Sequence, residues 1–164
     1  MCKSRFPFTL GYLFLLSTSN FSCTPINLYE QTFAIPAHRW NSSFIPQFAF
    51  VITDTTARYD LSITIRHRDL YHYNNIWLEI SLQSPDGNQY RFKTEKQLGT
   101  NQAGWLGTGM DDIYEHRIPL LNELIENQVS FRKKGKYIVS IKQIMREDPL
   151  EQVLNIGLRI EKRR

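Results

Sequence analysis

Cysteine is almost absent: the 164 residues contain only Cys2 and Cys23, both within the first 23 positions. Disulfides therefore do not hold the body of the chain together, and its stability has to come from apolar burial. Long apolar runs are missing too. The main one, residues 6–16, is 11 residues long, which is too short for a bilayer-crossing helix and rules out a polytopic membrane protein. With 41% hydrophobic residues and only 8 glycines and 7 prolines, the chain is neither disordered nor collagen-like. A real surplus of charge is lacking as well. Lys3 and Arg5 lie in the leader described below, and Lys162, Arg163 and Arg164 form the C-terminal tip; without these five the 20 basic residues fall to 15, against 16 acidic ones. A duplex binder carries a basic face rather than a basic tail tip, so nucleic acid is not an expected partner. The length suits one domain, and internal repeats, heptads and low-complexity tracts are absent.

What is present at the N-terminus is an export signal. Lys3 and Arg5 precede the apolar stretch, no acidic residue occurs before Glu30, and the polar run Ser17-Thr18-Ser19-Asn20-Phe21-Ser22 leads to Cys23. A short positive segment, an h-region of this length and a small residue before cysteine make up a bacterial lipoprotein signal, in which the cysteine is acylated and becomes the first mature residue. An ordinary secreted protein cleaved near Ser22, with Cys23 incidental, is the alternative. The lipoprotein reading divides the chain into a signal peptide (1–22), a lipidated tether (23–27) and a folded domain (28–162). Membrane lipid is then the first partner, through acylated Cys23, palmitate being a typical acyl chain. Thr24-Pro25-Ile26-Asn27 places no Asp beside the cysteine, which by lipoprotein sorting rules favours the outer membrane facing the periplasm.

The remainder reads as strands. Phe48, Phe50 and Ile52; Leu61, Ile63 and Ile65; Leu78, Ile80 and Leu82; Tyr137, Val139 and Ile141; and Leu154, Ile156, Leu158 and Ile160 all recur with period two among mostly polar neighbours. Ser84-Pro85-Asp86-Gly87-Asn88 is a hairpin turn, and Lys133-Lys134-Gly135-Lys136 is expected to play the same part before the Tyr137 strand. Pro36 and Pro46 bracket a non-strand segment containing Trp40, and Asp148-Pro149 is expected to end a strand carrying Met145 and Arg146. Residues 120–127, with Leu121, Leu124 and Ile125 at helical spacing, are the sole helical candidate. The pattern predicts an all-β, antiparallel, jelly-roll-like β-sandwich of eight to nine strands with at most one short helix.

Catalytic signatures are hard to find. His67 and His72 lack metal-ligand spacing, and His38, His67, His72 and His116 read as exposed or loop histidines. No G-x-S-x-G elbow occurs, Cys23 is consumed by lipid, and Asp111-Asp112 reads as a solvated loop. Asp54 and Asp60 flank a short turn where they could coordinate calcium with backbone carbonyls, but the ligand count is low. No cofactor is expected, and the chain does not read as an enzyme. Four residues instead suggest contact with a protein or glycan: Trp40, Trp105 in the glycine-bearing loop of residues 98–110, and Arg66 and Tyr71 in the run between two strong strands. Trp105 has two readings, a flat face offered to a partner or a lid folded over one end of the sandwich.

Taken together, these residues resemble the gliding-motility lipoprotein GldH family of the Bacteroidetes. The landmarks are Trp40 with Phe48; Asp54 and Tyr59-Asp60; Ile65-Arg66 with Tyr71 and Asn75; Gly104-Trp105-Leu106-Gly107 with Gly109; Gly135-Lys136-Tyr137 leading to Gln143-Ile144-Met145-Arg146; and Gly157-Leu158-Arg159-Ile160. The resemblance runs from Cys23 to Lys162. It implies an envelope lipoprotein required for gliding, and in some members for secretion or adhesin handling linked to the type IX system, with other gliding or secretion envelope proteins as partners. A glycan-binding periplasmic module is the alternative. The resemblance also implies O-glycosylation at Thr55, because Asp54-Thr55-Thr56 fits the pattern used in that lineage.

Overall fold

The computed structural model describes residues 28–163, so Cys23 and the leader and tether boundaries lie outside the described residues. In chain order the strands are β1 (Leu28–Ala34), β2 (Arg39–Trp40), β3 (Gln47–Ile52), β4 (Tyr59–Arg68), β5 (Asn75–Gln83), β6 (Gln89–Gln97), β7 (Gly99–Thr100), β8 (Gly104–Trp105), β9 (Thr108–Met110), β10 (Ile113–Pro119), β11 (Gly135–Gln143), β12 (Leu150–Glu151) and β13 (Val153–Lys162). One helix, α1 (Leu121–Glu126), falls within the stretch expected to be helical.

The strands form an all-β fold. The first sheet runs β1-β13-β4-β10-β9 and the second β3-β11-β5-β6; β2 with β12 and β7 with β8 make two small pairs. Every pairing is antiparallel. The period-two residues explain why the sheets meet. Leu61, Ile63 and Ile65 of β4 and Ile156, Leu158 and Ile160 of β13 share one core with Phe48, Phe50 and Ile52 of β3, Leu78, Ile80 and Leu82 of β5, and Tyr137, Val139 and Ile141 of β11. Aromatic rings cross between the layers, Phe33 against Phe48 at 5.1 Å and Tyr29 against Phe50 at 5.7 Å between centroids. The Asp86-Gly87 hairpin forms as expected between β5 and β6, closed by the Gly87 N–H donating to the Ser84 carbonyl at 3.0 Å.

Several local expectations are corrected. The register of β13 against β4 shifts between Val153 and Asn155, and this bulge buries Val153 and turns Leu154 away from the core. Lys133-Lys134-Gly135 makes no hairpin, because the chain there passes from β10 in one sheet, by way of α1, to β11 in the other. Trp40 belongs to a two-residue strand paired with Leu150, and β11 ends at Gln143, before Met145 and Arg146.

The outer face of the first sheet has a waist at Gly157. A Cβ there would overlap Thr64 Oγ1 and stand 2.8 Å from Thr32 Oγ1 and 3.1 Å from the Gln31 carbonyl oxygen. The threonine hydroxyls can turn aside, but the backbone oxygen cannot. Gly157→Ala should therefore lower stability by about 1–2 kcal/mol, read as a shift in the urea midpoint at unchanged slope. An unchanged midpoint would show that the strands separate freely at that point.

Candidate binding site

The register sorts the candidate residues by position along the sandwich. Leu28 pairs with Glu161 at one end of β13, whereas Arg66 pairs with Asn155 near the other. Trp40, Arg66, Tyr71 and Trp105 all gather toward that second, distal end.

Two of the four are corrected as contact residues. Trp40 is completely buried, and its indole N–H donates to the Phe44 carbonyl at 2.9 Å. Tyr71 is also buried, with its hydroxyl donating to the Asn75 carbonyl at 3.0 Å and its phenol pKa raised chiefly by desolvation. A large ring at a strand end buries more area by closing the core than by standing in water. Trp105 takes the lid position. It is half-buried, its indole N–H donates to Asp69 Oδ1 at 2.8 Å, and its ring packs edge-on to His67 at 4.4 Å. Among the three tryptophans, Trp77 on β5 is the most exposed, and it stands on the other sheet.

Under the Trp105 lid lies a pair of histidines whose expected exposure is corrected. His67 and His116 are buried, stacked at 5.0 Å, with their Nε2 atoms 2.9 Å apart. His67 Nδ1 lies 2.8 Å from the Arg68 carbonyl and so carries the proton, leaving Nε2 to accept from His116 Nε2–H. Burial pushes both pKa values down, His116 to about 4 with the neighbouring His67 adding to the effect; the Arg68 carbonyl and Asp69 oppose it at His67. Gly107 is what lets the loop lie over this pair. A Cβ there would stand 2.5 Å from the Glu115 carbonyl oxygen and 2.9 Å from the His116 ring. That glycine accommodates packing and does not cradle a ligand. His38 and His72 are exposed, as expected.

Arg66 does face solvent, and it marks a groove on the outer face of the first sheet. Register places Asn155, Arg66, Glu115 and Thr108 side by side across four strands, with Arg66 Nε hydrogen-bonded to Glu115 Oε2. Beside this polar row Ile113 pairs with Met110, and Leu154, displaced by the bulge, completes an apolar hollow of about 480 Å³. Met110 is 76% exposed on β9, the outermost strand of the sheet. Sequence periodicity singled out Arg66 but missed Met110, Ile113, Leu154 and Glu115, since only the bulge and the cross-strand register bring them together.

Two of the remaining acidic candidates are engaged with cations of the chain itself. Asp54 accepts from Lys162 Nζ at 2.7 Å and from Thr56, which together hold its carboxyl well below the usual range. Asp60 takes two hydrogen bonds from Arg163. Asp111 and Asp112 sit exposed between β9 and β10. Among the described residues no group of three or more His, Cys, Asp or Glu could hold a metal ion, and no helix is long and apolar enough to cross a membrane. Thr55 lies half-buried in the loop between β3 and β4.

The sequence profile of the family described as "GldH lipoprotein" matches residues 27–160. A "Gliding motility lipoprotein GldH homolog" of Christiangramia forsetii is 30% identical over 159 residues, covering 92% of this chain and 94% of that protein. The "Gliding motility lipoprotein GldH" of Flavobacterium johnsoniae is 28% identical over 160 residues, covering 93% and 96%. Among solved structures, a chain of infectious bursal disease virus Gt strain aligns with 84% of this chain and 31% of its own length at 11% identity; its TM-score of 0.30 carries no argument.

Proposed function

The chain belongs to the GldH lipoprotein family, and from that membership we propose that it is a non-enzymatic, lipid-anchored envelope protein of the gliding machinery that works by binding another envelope protein. The observation that carries the binding role is the groove at Arg66 and Glu115, whose apolar hollow lies on an outer strand at the end away from Leu28. Exposed apolar side chains rimmed by a charged pair are the ordinary make-up of a protein contact. The glycan alternative rested on Trp40, Tyr71 and Trp105, and the burial of the first two removes most of its aromatic platform. The strand order β1-β13-β4-β10 over β3-β11-β5-β6 supports a jelly-roll winding of the sandwich.

Two substitutions test the binding role. Met110→Asp with Ile113→Asp places carboxylates in the hollow and should abolish surface spreading while the protein stays at its normal envelope level. Normal spreading with both changes would refute the groove as the working surface. In this reading Cys23 carries the acyl chains on the periplasmic side of the outer membrane. Cys23→Ala should move the protein from the membrane to the soluble fraction, since about 0.8 kcal/mol per buried methylene is lost with them; a membrane-retained variant would refute the anchor. Thr55, beside Asp54, is the proposed glycan attachment residue, checked by the intact mass of the exported protein against Thr55→Ala.

A further inference from the structure

We propose that the end of the sandwich where the described chain begins is a second membrane contact, lying against an anionic phospholipid surface. The inference rests on the anchoring of Cys23 and specifies how the domain sits once anchored. Four residues, Thr24 to Asn27, separate Cys23 from Leu28, so the five Cα-to-Cα steps reach at most ~18 Å at full extension. The domain is longer than that, since the ten residues of β13 alone span roughly 33 Å. The Leu28 end is therefore the part of the domain held within reach of the bilayer, and the Arg66 groove points away from it.

That end has the composition of an interfacial surface. The Leu120 N–H donates to the Leu61 carbonyl at 2.9 Å, which starts α1 there, and Glu123 ties the helix to Thr94 and Lys96 of β6. Leu124 is buried, while Leu121 and Ile125, one turn apart on the same face, are 40% and 66% exposed. Leu28 is exposed too, at 48%. Cations stand at this end, three of them arginines beside α1. Lys133, Lys162 and Arg163 are paired with Asp86, Asp54 and Asp60. Arg58, Arg132 and Lys134 are exposed and make no salt bridge among the described residues. Arg58, Arg132 and Arg163 meet Leu121 and Ile125 around one open hollow of about 420 Å³. Guanidinium groups beside exposed Leu and Ile match phosphate headgroups above an acyl boundary, the pairing that holds amphipathic surfaces in a bilayer interface. A tether this short keeps the surface at high effective concentration, so a weak contact is enough to orient the domain.

The test uses the acylated chain in vesicles containing phosphatidylglycerol. Ile125→Cys and, separately, Met110→Cys carry a fluorophore; Cys23 is blocked by its lipid, so each label site is unique. The Ile125 label should be quenched by spin-labelled lipid and be several-fold less accessible to aqueous iodide than the Met110 label. Arg58→Glu with Arg132→Glu and Lys134→Glu should abolish that protection while the chain still floats with the vesicles. Equal iodide access at the two positions in a floating chain would overturn the contact and leave the anchor intact. Protection that persists after charge reversal would mean that the cations make no contact with the anionic headgroups, and would overturn it as well. A chain that fails to float would refute the anchor and with it this inference.

Discussion

Trp40→Ala should be the most destabilising single change, costing about 3–5 kcal/mol and lowering the thermal midpoint by on the order of 10 °C. The ring is wholly buried, so its removal deletes the largest side chain from the distal end of the core and leaves a void that fixed strands cannot close. The surrounding frame is rigid. Trp40 pairs with Leu150, and its carbonyl accepts from the fully buried Gln143 amide at 3.2 Å. The same amide lies 3.3 Å from Asp148 Oδ1, which also accepts from the Ser42 backbone N–H at 2.8 Å. Trp40→Phe should lose much less, about 1–2 kcal/mol, because it retains the ring body and forfeits the bond to the Phe44 carbonyl. Thermal scans of both variants check the ordering. A Trp40→Ala protein with a native midpoint but impaired partner binding would restore Trp40 to the contact surface.

Mild acid should produce the second large effect. His116 is held near pKa 4, chiefly by burial, against an ordinary value of 6.5, and His67 is lowered for the same reason. The unfolded chain therefore binds protons that the folded chain refuses, and stability rises with pH across this window. The full stability is present above about pH 6.5 and is lost as pH falls toward 4, by on the order of 2–3 kcal/mol for His116. Asp69, the cation Arg68 and the aromatic rings of Tyr71, Trp105 and Tyr114 surround the pair; of these only Asp69 offers charge to an imidazolium, and it is engaged by the Trp105 indole. Urea unfolding at pH 7.5 and pH 4.5 reads the slope. A double replacement, His67→Gln with His116→Leu, should flatten the profile above pH 4.5, and a slope that survives it would assign the acid response elsewhere.

These two sites show where sequence reading stops. Alternation identified the strands of the core, since a residue facing the opposite sheet must be apolar at every second position whatever its partner is. Turn chemistry placed the Asp86-Gly87 hairpin, and helical spacing placed a helix close to Leu121–Glu126. Exposure of a ring near a strand end follows no such local rule. Trp40, Tyr71 and His67 sit in runs that read as surface or loop, and they are buried because β2, β12 and the Trp105 loop close over them from distant parts of the chain. Periodicity alone places Leu154 in the core, and a single bulge puts it on the outer face beside Met110.

Composition and order of residues by themselves determined an all-β class, a folded domain without cysteine and a likeness to gliding lipoproteins. Each of these depends on local pattern or covalent chemistry, which the linear sequence carries in full. Tertiary structure alone decided that two histidines share a buried hydrogen bond, that Arg66 stands in a groove with Met110 and Leu154, and that Ile125 shares an end with Leu28. Those facts depend on which strands become neighbours, and contacts between residues far apart in the chain are set by the packing of the whole.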